Sequence, residues 1–262
     1  MTILEKIIAN KHREVALKKS IIPVPQLEGS VLFNRETVSL SHILQNGNRG
    51  IIAEHKRRSP SKAVINHDFS VQEVISGYDQ AGAAGISVLT DMRYFGGSLE
   101  DLVLARASTH IPLLRKEFII DEYQILEAKA HGADLILLIA SVLTRTETTS
   151  LSKCAKSLGL EVLLEVHNQA EVEKSLMPSL DMIGVNNRNL ATFEVRLETS
   201  KKLSEMIPAD FVKISESGIT SVEDIIELEQ YGYKGFLIGE NFMKTNDAGQ
   251  AASDFISKLK IQ

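Results

Sequence analysis

The chain has no tryptophan, one cysteine, six prolines and 5 % aromatic residues in 262 positions. A single thiol, Cys154, excludes an internal disulfide framework and fits a reducing compartment. Long hydrophobic runs are missing as well. The most apolar stretch, Leu135 to Leu143, is about half the ~20 residues that a membrane helix needs. The opening residues, Met1-Thr2-Ile3-Leu4-Glu5-Lys6, have neither the apolar core nor the small-residue cleavage site of a signal peptide. Neither sign of charge dominates: 29 basic against 34 acidic residues leave −5, so there is no basic excess to neutralise nucleic-acid phosphates. These absences point to a cytoplasmic protein with neither membrane nor nucleic acid as partner. What is present, 44 % apolar and 24 % charged residues, is the profile of a globular chain with a substantial core.

Short apolar runs recur, each followed by a segment of helical periodicity. They are Gly50–Glu54, Ile86–Leu89, Pro112–Arg115, Leu135–Ile139, Glu161–Glu165, Met182–Val185, Phe211–Ile214 and Gly235–Ile238. Their near-continuous apolarity fits parallel strands covered by helices. Ser70-Val71-Gln72-Glu73 has the form of a capping box, Ser221 opens another helix, and Gly132, Gly159 and Gly232 stand where helix C-caps are expected. Eight strand-plus-helix units predict an α/β fold, the (β/α)8 TIM barrel. The alternative, an open doubly wound sheet, would carry a glycine-rich fingerprint after its first strand, and Ala53-Glu54-His55-Lys56-Arg57 is not one. Although roughly 150 residues per domain would predict two domains, such barrels commonly reach about 250 residues as one. The expectation is therefore a single barrel domain over 1–262, with residues 1–47 as an N-terminal helical extension covering one end. In that extension Leu4, Ile7, Ile8 and Val15 line one helix face, Pro23 and Pro25 end the helix, and Val38 to Gln45 form another. The basic residues from Lys11 to Lys19 read as a solvated helix face.

In such a barrel the chemistry lies at the C-terminal strand ends. Side chains two apart on a strand share a face, so if Ile52 points inward, so do Glu54 and Lys56. The same alternation pairs Leu114 with Lys116, Leu163 with Glu165, and Gly184 with Asn186 and Arg188, while the seventh strand ends in Ser215-Glu216-Ser217-Gly218. Any one of these is most simply a solvated strand end. Together, two lysines and two carboxylates from separate strands converge on one rim, which is what acid–base catalysis requires. Glycines after the last two strands, in Glu216-Ser217-Gly218-Ile219 and Ile238-Gly239-Glu240-Asn241, suit backbone donation to a phosphate. The histidines (His12, His42, His55, His67, His110, His131 and His167) form no metal-binding pattern, and Cys154 reads as helix filler.

The motifs resemble those of the indole-3-glycerol phosphate synthase family. Ile51-Ile52-Ala53-Glu54-His55-Lys56-Arg57-Arg58-Ser59-Pro60-Ser61 is similar to its first-strand signature. Ser87 to Asp91 with Phe95 and Gly97 to Glu100, Pro112 to Ile119, Leu164 to His167, Ile183 to Leu190, Ser215 to Ile219 and Phe236 to Glu240 follow in the family's order. The resemblance implies a cofactor-free, metal-free enzyme of tryptophan biosynthesis, with other enzymes of that pathway as partners. Its phosphorylated small-molecule substrate would be 1-(2-carboxyphenylamino)-1-deoxyribulose 5-phosphate. The products would be indole-3-glycerol phosphate, carbon dioxide and water. By the same resemblance Lys116 is the leading acid for ring closure, Glu165 stabilises the cationic ring, and Glu54 with Lys56 or Lys116 serves the dehydration. Asn186 orients these groups. Ser59 and Arg188 lie near the polar groups of the substrate, Phe95 and Phe118 flank its aromatic ring, and Lys56, Ser217, Gly218, Gly239 and Glu240 belong to the phosphate site, with Ser217 also counted among the catalytic residues.

Three departures from the family pattern are Glu117 for Asp, Ala63 for Gly, and Glu240 at a position often held by a small residue. The rival readings are an aldolase-like barrel in which Lys116 forms a Schiff base with a sugar phosphate, and a barrel that only binds a phosphosugar.

Overall fold

A computed structural model describes all residues except 48, 67, 190, 191 and 262. His67 and Leu190, named above, lie outside the described residues. Three helices precede the sheet: α1 (Ile3–Ile21), α2 (Val24–Glu28) and α3 (Leu40–Asn46). Then β1 (Gly50–His55), α4 (Val71–Ala81), β2 (Gly85–Leu89), α5 (Met92–Phe95), α6 (Leu99–Ser108), β3 (Leu113–Lys116), α7 (Glu122–Ala130), β4 (Leu135–Ile139) and α8 (Arg145–Ser157) follow. The second half runs through β5 (Glu161–Val166), α9 (Gln169–Ser175), β6 (Met182–Asn186), α10 (Glu198–Ser204), β7 (Val212–Glu216), α11 (Val222–Glu229), β8 (Tyr233–Ile238), α12 (Glu240–Met243) and α13 (Ala248–Ile261). All neighbouring strands are parallel, and β8 pairs with β1 to close the barrel in sequence order.

Local sequence explains these boundaries. Ser70 and Ser221 cap α4 and α11 in reciprocal capping boxes with Glu73 and Asp224. Gly132, Gly159 and Gly232 take left-handed backbone angles just past α7, α8 and α11. Pro23 does more than end α1: it is the N-cap of α2, a short helix absent from the sequence reading.

Alternation along the strands builds two nested cores. Ile51, Ala53, Ile136 and Leu138 face outward and pack under the helices. Ile52, Leu114, Leu137, Leu163, Met182, Ile214 and Leu237 fill the interior, joined by Leu40 and Leu44 of α3. Thus α3 plugs the N-terminal end of the barrel. It is fastened by Glu161, whose carboxylate accepts from Leu40 N at 2.8 Å and Ser41 N at 3.0 Å.

The extension also reaches the opposite end, beyond the single end expected. Ile3, Leu4 and Ile7 of α1 line the cavity at the C-terminal rim. Lys11 departs from its sequence reading too. It is 1 % exposed, and its Nζ lies 2.9 Å from Glu14, 3.0 Å from Asp91 and 3.0 Å from Glu117. Three carboxylates hold it where solvation was expected. No described helix is long and apolar enough to cross a membrane.

Candidate active site

The C-terminal rim encloses a cavity of about 160 Å³. Glu54 from β1, Lys116 from β3, Glu165 from β5 and Glu216 from β7 converge on it, with Lys56 just beyond β1. The predicted alternation holds: Ile52, Leu114, Leu163 and Ile214 are interior residues, and the charged groups stand two positions further along the same faces. Lys56 Nζ lies 2.5 Å from Glu54 Oε1. Lys116 Nζ lies 3.4 Å from Glu165 Oε2 and pairs directly with Glu216 Oε2.

Bulky groups meet here because two glycines beside them carry no side chain. A Cβ on Gly184 of β6 would strike the Glu216 carboxylate. A Cβ on Gly239, directly after β8, would lie 2.7 Å from Glu54 Oε1. Gly239 backs onto Glu54 and is not among the cavity-lining residues, nor is Gly218. Of the phosphate-site residues, Lys56, Ser217 and Glu240 line the cavity. Ser217 holds a left-handed φ of 67°, a costly conformation for a residue with a Cβ, which turns the chain sharply at the end of β7. Glu240 pairs with the exposed Lys62 at 2.9 Å.

The charges set the electrostatics. Glu54, Glu165 and Glu216 are 3 %, 4 % and 2 % exposed, so each needs a partner. Burial disfavours the Lys116 ammonium, but Glu216, Glu165 and Glu54 more than offset this and hold its pKa above the ordinary range. Burial likewise opposes ionisation of Glu165. Lys116, the neighbouring His167 and a hydrogen bond from Asn186 outweigh it, so Glu165 stays well below the usual carboxylate range. Burial also opposes ionisation of Glu54, and Lys56 and Lys116 keep it ionised. Three carboxyls facing two ammonium groups leave one surplus negative charge. It falls on Glu216, whose pKa is pushed up by burial and by Glu165 and Glu54, against the pull of Lys116.

The remaining wall is mixed. The rings of Phe95 and Phe118 face each other at 5.9 Å between centroids. With Ile3, Leu4 and Ile7 they form an apolar side, above a floor of Leu137, Ile139 and Leu237. Ser59, Asn186 and Arg188 line the polar side, and Asn186 Oδ1 accepts from Arg188 N at 3.0 Å. Glu117 turns to Lys11, Thr90 and Arg115, away from Lys116. Ala63 is exposed, and Cys154 is half-buried on α8. Among the described residues no cluster of three or more His, Cys, Asp or Glu side chains is arranged to hold a metal ion.

Three residues stand in or against this site beyond those singled out from the sequence. Glu216 shares the inward face of β7 with Val212 and Ile214, so period two already marked it. Lys11 lies four residues from both Ile7 and Val15 on the buried stripe of α1. His167, two residues beyond Glu165, sits with Nε2 3.3 Å from Glu165 Oε1.

Comparison with known proteins adds the following. The family model described as indole-3-glycerol phosphate synthase matches residues 4–255. An indole-3-glycerol phosphate synthase of Bacteroides thetaiotaomicron is 45 % identical over 258 residues, covering 98 % of this chain and 99 % of that protein. One from Laribacter hongkongensis is 42 % identical, covering 95 % and 97 %. Among solved structures, a thiamine phosphate pyrophosphorylase from Pyrococcus furiosus superposes with a TM-score of 0.60 at 15 % identity, over 84 % of this chain and 99 % of that one. At that identity the likeness is one of fold alone.

Proposed function

The chain belongs to the indole-3-glycerol phosphate synthase family, and we propose how its rim residues divide the work of that reaction. The enzyme is a carboxy-lyase of tryptophan biosynthesis acting on a phosphorylated small molecule. The aromatic carbon that bears the carboxylate of 1-(2-carboxyphenylamino)-1-deoxyribulose 5-phosphate attacks the ketone C2′. Carbon dioxide and then water leave, giving indole-3-glycerol phosphate.

Lys116 donates a proton to the ketone oxygen as charge develops there. The ring system becomes cationic at that moment, and Glu165, ionised beside Lys116, stabilises it. Loss of carbon dioxide returns an electron pair to the ring. In the dehydration one proton is added to the departing hydroxyl and one is removed from C1′, and the contacting pair Lys56 and Glu54 supplies that acid and base. Two protons enter and one leaves, matching the proton consumed when a carboxylate departs as carbon dioxide. Asn186 orients Glu165. Phe95 and Phe118 hold the anthranilate ring against the apolar wall, and Ser59 and Arg188 meet the carboxylate and hydroxyls. The phosphate takes the backbone of the turn at Ser217 and the start of α12 at Glu240, with Lys56 in reach. On this reading the whole chain works as one barrel domain with residues 1–47 as its extension, in the cytoplasm alongside other enzymes of the pathway.

The observation that carries the assignment is the position of Lys116 between two buried carboxylates. A Schiff-base lysine must shed its proton to attack a carbonyl, and this environment holds the proton on. The test follows indole fluorescence with purified Lys116→Met and Lys116→Arg. Both are expected to lose roughly 10²–10⁴-fold in kcat, because a planar guanidinium cannot take the ammonium's place between the two carboxylates and a thioether carries no proton to give. Near-normal turnover by folded Lys116→Met, or borohydride trapping of substrate on wild-type Lys116, overturns the assignment.

A further inference from the structure

We propose that His167 is a positioning residue, an imidazolium clamped between two carboxylates that fixes Glu165 through the oxygen Lys116 does not engage. The inference rests on the role given to Glu165 above. His167 follows β5 by one residue and lies two beyond Glu165, so its ring returns to the same face. Nε2 lies 3.3 Å from Glu165 Oε1, while Lys116 approaches Oε2. On the far side Nδ1 lies 3.1 Å from Glu171 Oε2.

Glu171 is itself immobilised. The backbone N of His167 donates to it at 2.8 Å, and Asn168 Nδ2 donates to its second oxygen at 2.7 Å. Nδ1 makes the hydrogen bond to Glu171, while Nε2 approaches Glu165 as a charge contact and has no hydrogen-bond partner of its own. A neutral imidazole with its N–H on Nδ1 would point a lone pair at the Glu165 carboxylate, whereas the doubly protonated ring faces both carboxylates with positive charge. Although burial disfavours the charge, Glu165 and Glu171 raise the pKa of His167 to about 10. Other charged groups near the ring lie across an adjoining cleft of about 440 Å³: Arg188, Glu194 and Arg196.

The consequence concerns the step in which Lys116 gives up its proton. At that moment Glu165 loses its ammonium partner, and a carboxylate buried to 4 % exposure would tend to protonate or swing away. The imidazolium remains. It keeps Glu165 ionised and in place while the cation forms on the ring.

The test uses His167→Asn and Glu171→Gln in the full-length enzyme, with circular dichroism to establish folding. In His167→Asn, kcat is expected to fall roughly 10- to 100-fold with KM changed little, and the acid limb of the kcat profile to move to higher pH. Glu171→Gln retains the ring and is expected to move the limb in the same direction by less. In a Glu165→Gln background, His167→Asn is expected to have no further effect on kcat. Nitrogen NMR of His167 should report a doubly protonated ring at pH 8. Unchanged kcat and pH profile in folded His167→Asn and Glu171→Gln, additive losses in the double variant, or a neutral ring each overturn the proposal while leaving a damaged Glu165→Gln enzyme intact as support for Glu165. Full activity in Glu165→Gln alone instead overturns the role of Glu165 and this proposal with it.

Discussion

Replacing Lys11 with methionine is expected to weaken the protein and its hold on substrate together. The ammonium sits 3.0 Å from both Asp91 and Glu117, and all three side chains are at most 2 % exposed. Methionine fills similar space, so the packing loss is small. The stranded charges dominate. Removing one partner of a buried pair costs about 3–5 kcal/mol. Glu117 keeps the Thr90 hydroxyl at 2.9 Å, the Phe118 N–H at 2.8 Å and Arg115 at 3.8 Å, which argues for the lower end, about 3 kcal/mol. For a chain of this length that is a fall in Tm of roughly 6 °C, measurable by calorimetry.

The pH dependence of that loss has a definite sign. Burial opposes ionisation of Glu117, Lys11 and Arg115 more than offset it, and its pKa lies below the ordinary value. A depressed carboxyl contributes stability above its unfolded pKa and loses it as pH falls. The gap between wild type and Lys11→Met should therefore be widest near pH 7 and shrink below about pH 4. Because α1 carries Ile3, Leu4 and Ile7 into the cavity wall, KM for substrate should rise more than kcat falls. Adding Glu117→Gln removes one stranded charge and should recover part of the Tm without restoring KM. A Lys11→Met enzyme with unchanged Tm and KM would refute the claim that this cluster ties the helix to the rim.

Glu216→Gln should raise thermal stability at pH 8 and have little effect at pH 4, because a carboxyl whose folded pKa is raised destabilises the native state increasingly above its unfolded pKa; its kcat should fall about 10²-fold as Lys116 loses its nearest carboxylate, and equal Tm values at both pH values would contradict the surplus-charge assignment. Gly239→Ala should lower kcat by roughly 10²-fold through displacement of Glu54, whose Oε1 would lie 2.7 Å from the new Cβ. Since the atom nearest the new Cβ is the mobile end of the Glu54 side chain, calorimetry should record a smaller effect than the kinetics.

Strand alternation made most of the rim legible. A run such as Gly50-Ile51-Ile52-Ala53-Glu54 must place Ile52 and Glu54 on one side, and once Ile52 is interior the carboxylate has no other place to go. The same logic placed Lys116 and Glu165, and it also applied to Glu216, where the Ser217-Gly218 turn drew attention instead. Lys11 was legible only as a position. Its spacing from Ile7 and Val15 put it on the buried stripe, but a buried lysine needs counter-charges, and those come from Asp91 and Glu117 far along the chain. Local sequence has no means of announcing such a partner. Gly239 shows a different limit: its small size was evident, but whether the space serves an anion or a neighbouring side chain depends on what stands opposite. Here that is Glu54.

The N-terminal extension bears on how a barrel divides stability from chemistry. Barrel strands carry fold-stabilising residues at one end and reactive ones at the other. Strand β5 states this within six residues: Glu161 grips the start of α3 at the closed end, Leu163 fills the middle, and Glu165 meets Lys116 at the open end. The reactive end cannot be closed by strand residues alone, since Glu54, Glu165 and Glu216 would then share a cavity open to water and lose the low-dielectric setting that shifts their proton affinities. Helix α1 supplies the missing apolar wall, and its attachment is ionic because the rim it crosses is itself acidic at Asp91 and Glu117. A purely hydrophobic helix would leave Asp91 with only the Tyr94 N–H, and Glu117 with Thr90, the Phe118 N–H and a more distant Arg115, in place of a contacting ammonium. The lysine on its buried stripe both supplies the rim with a counter-charge and sets the register in which Ile3, Leu4 and Ile7 reach the cavity.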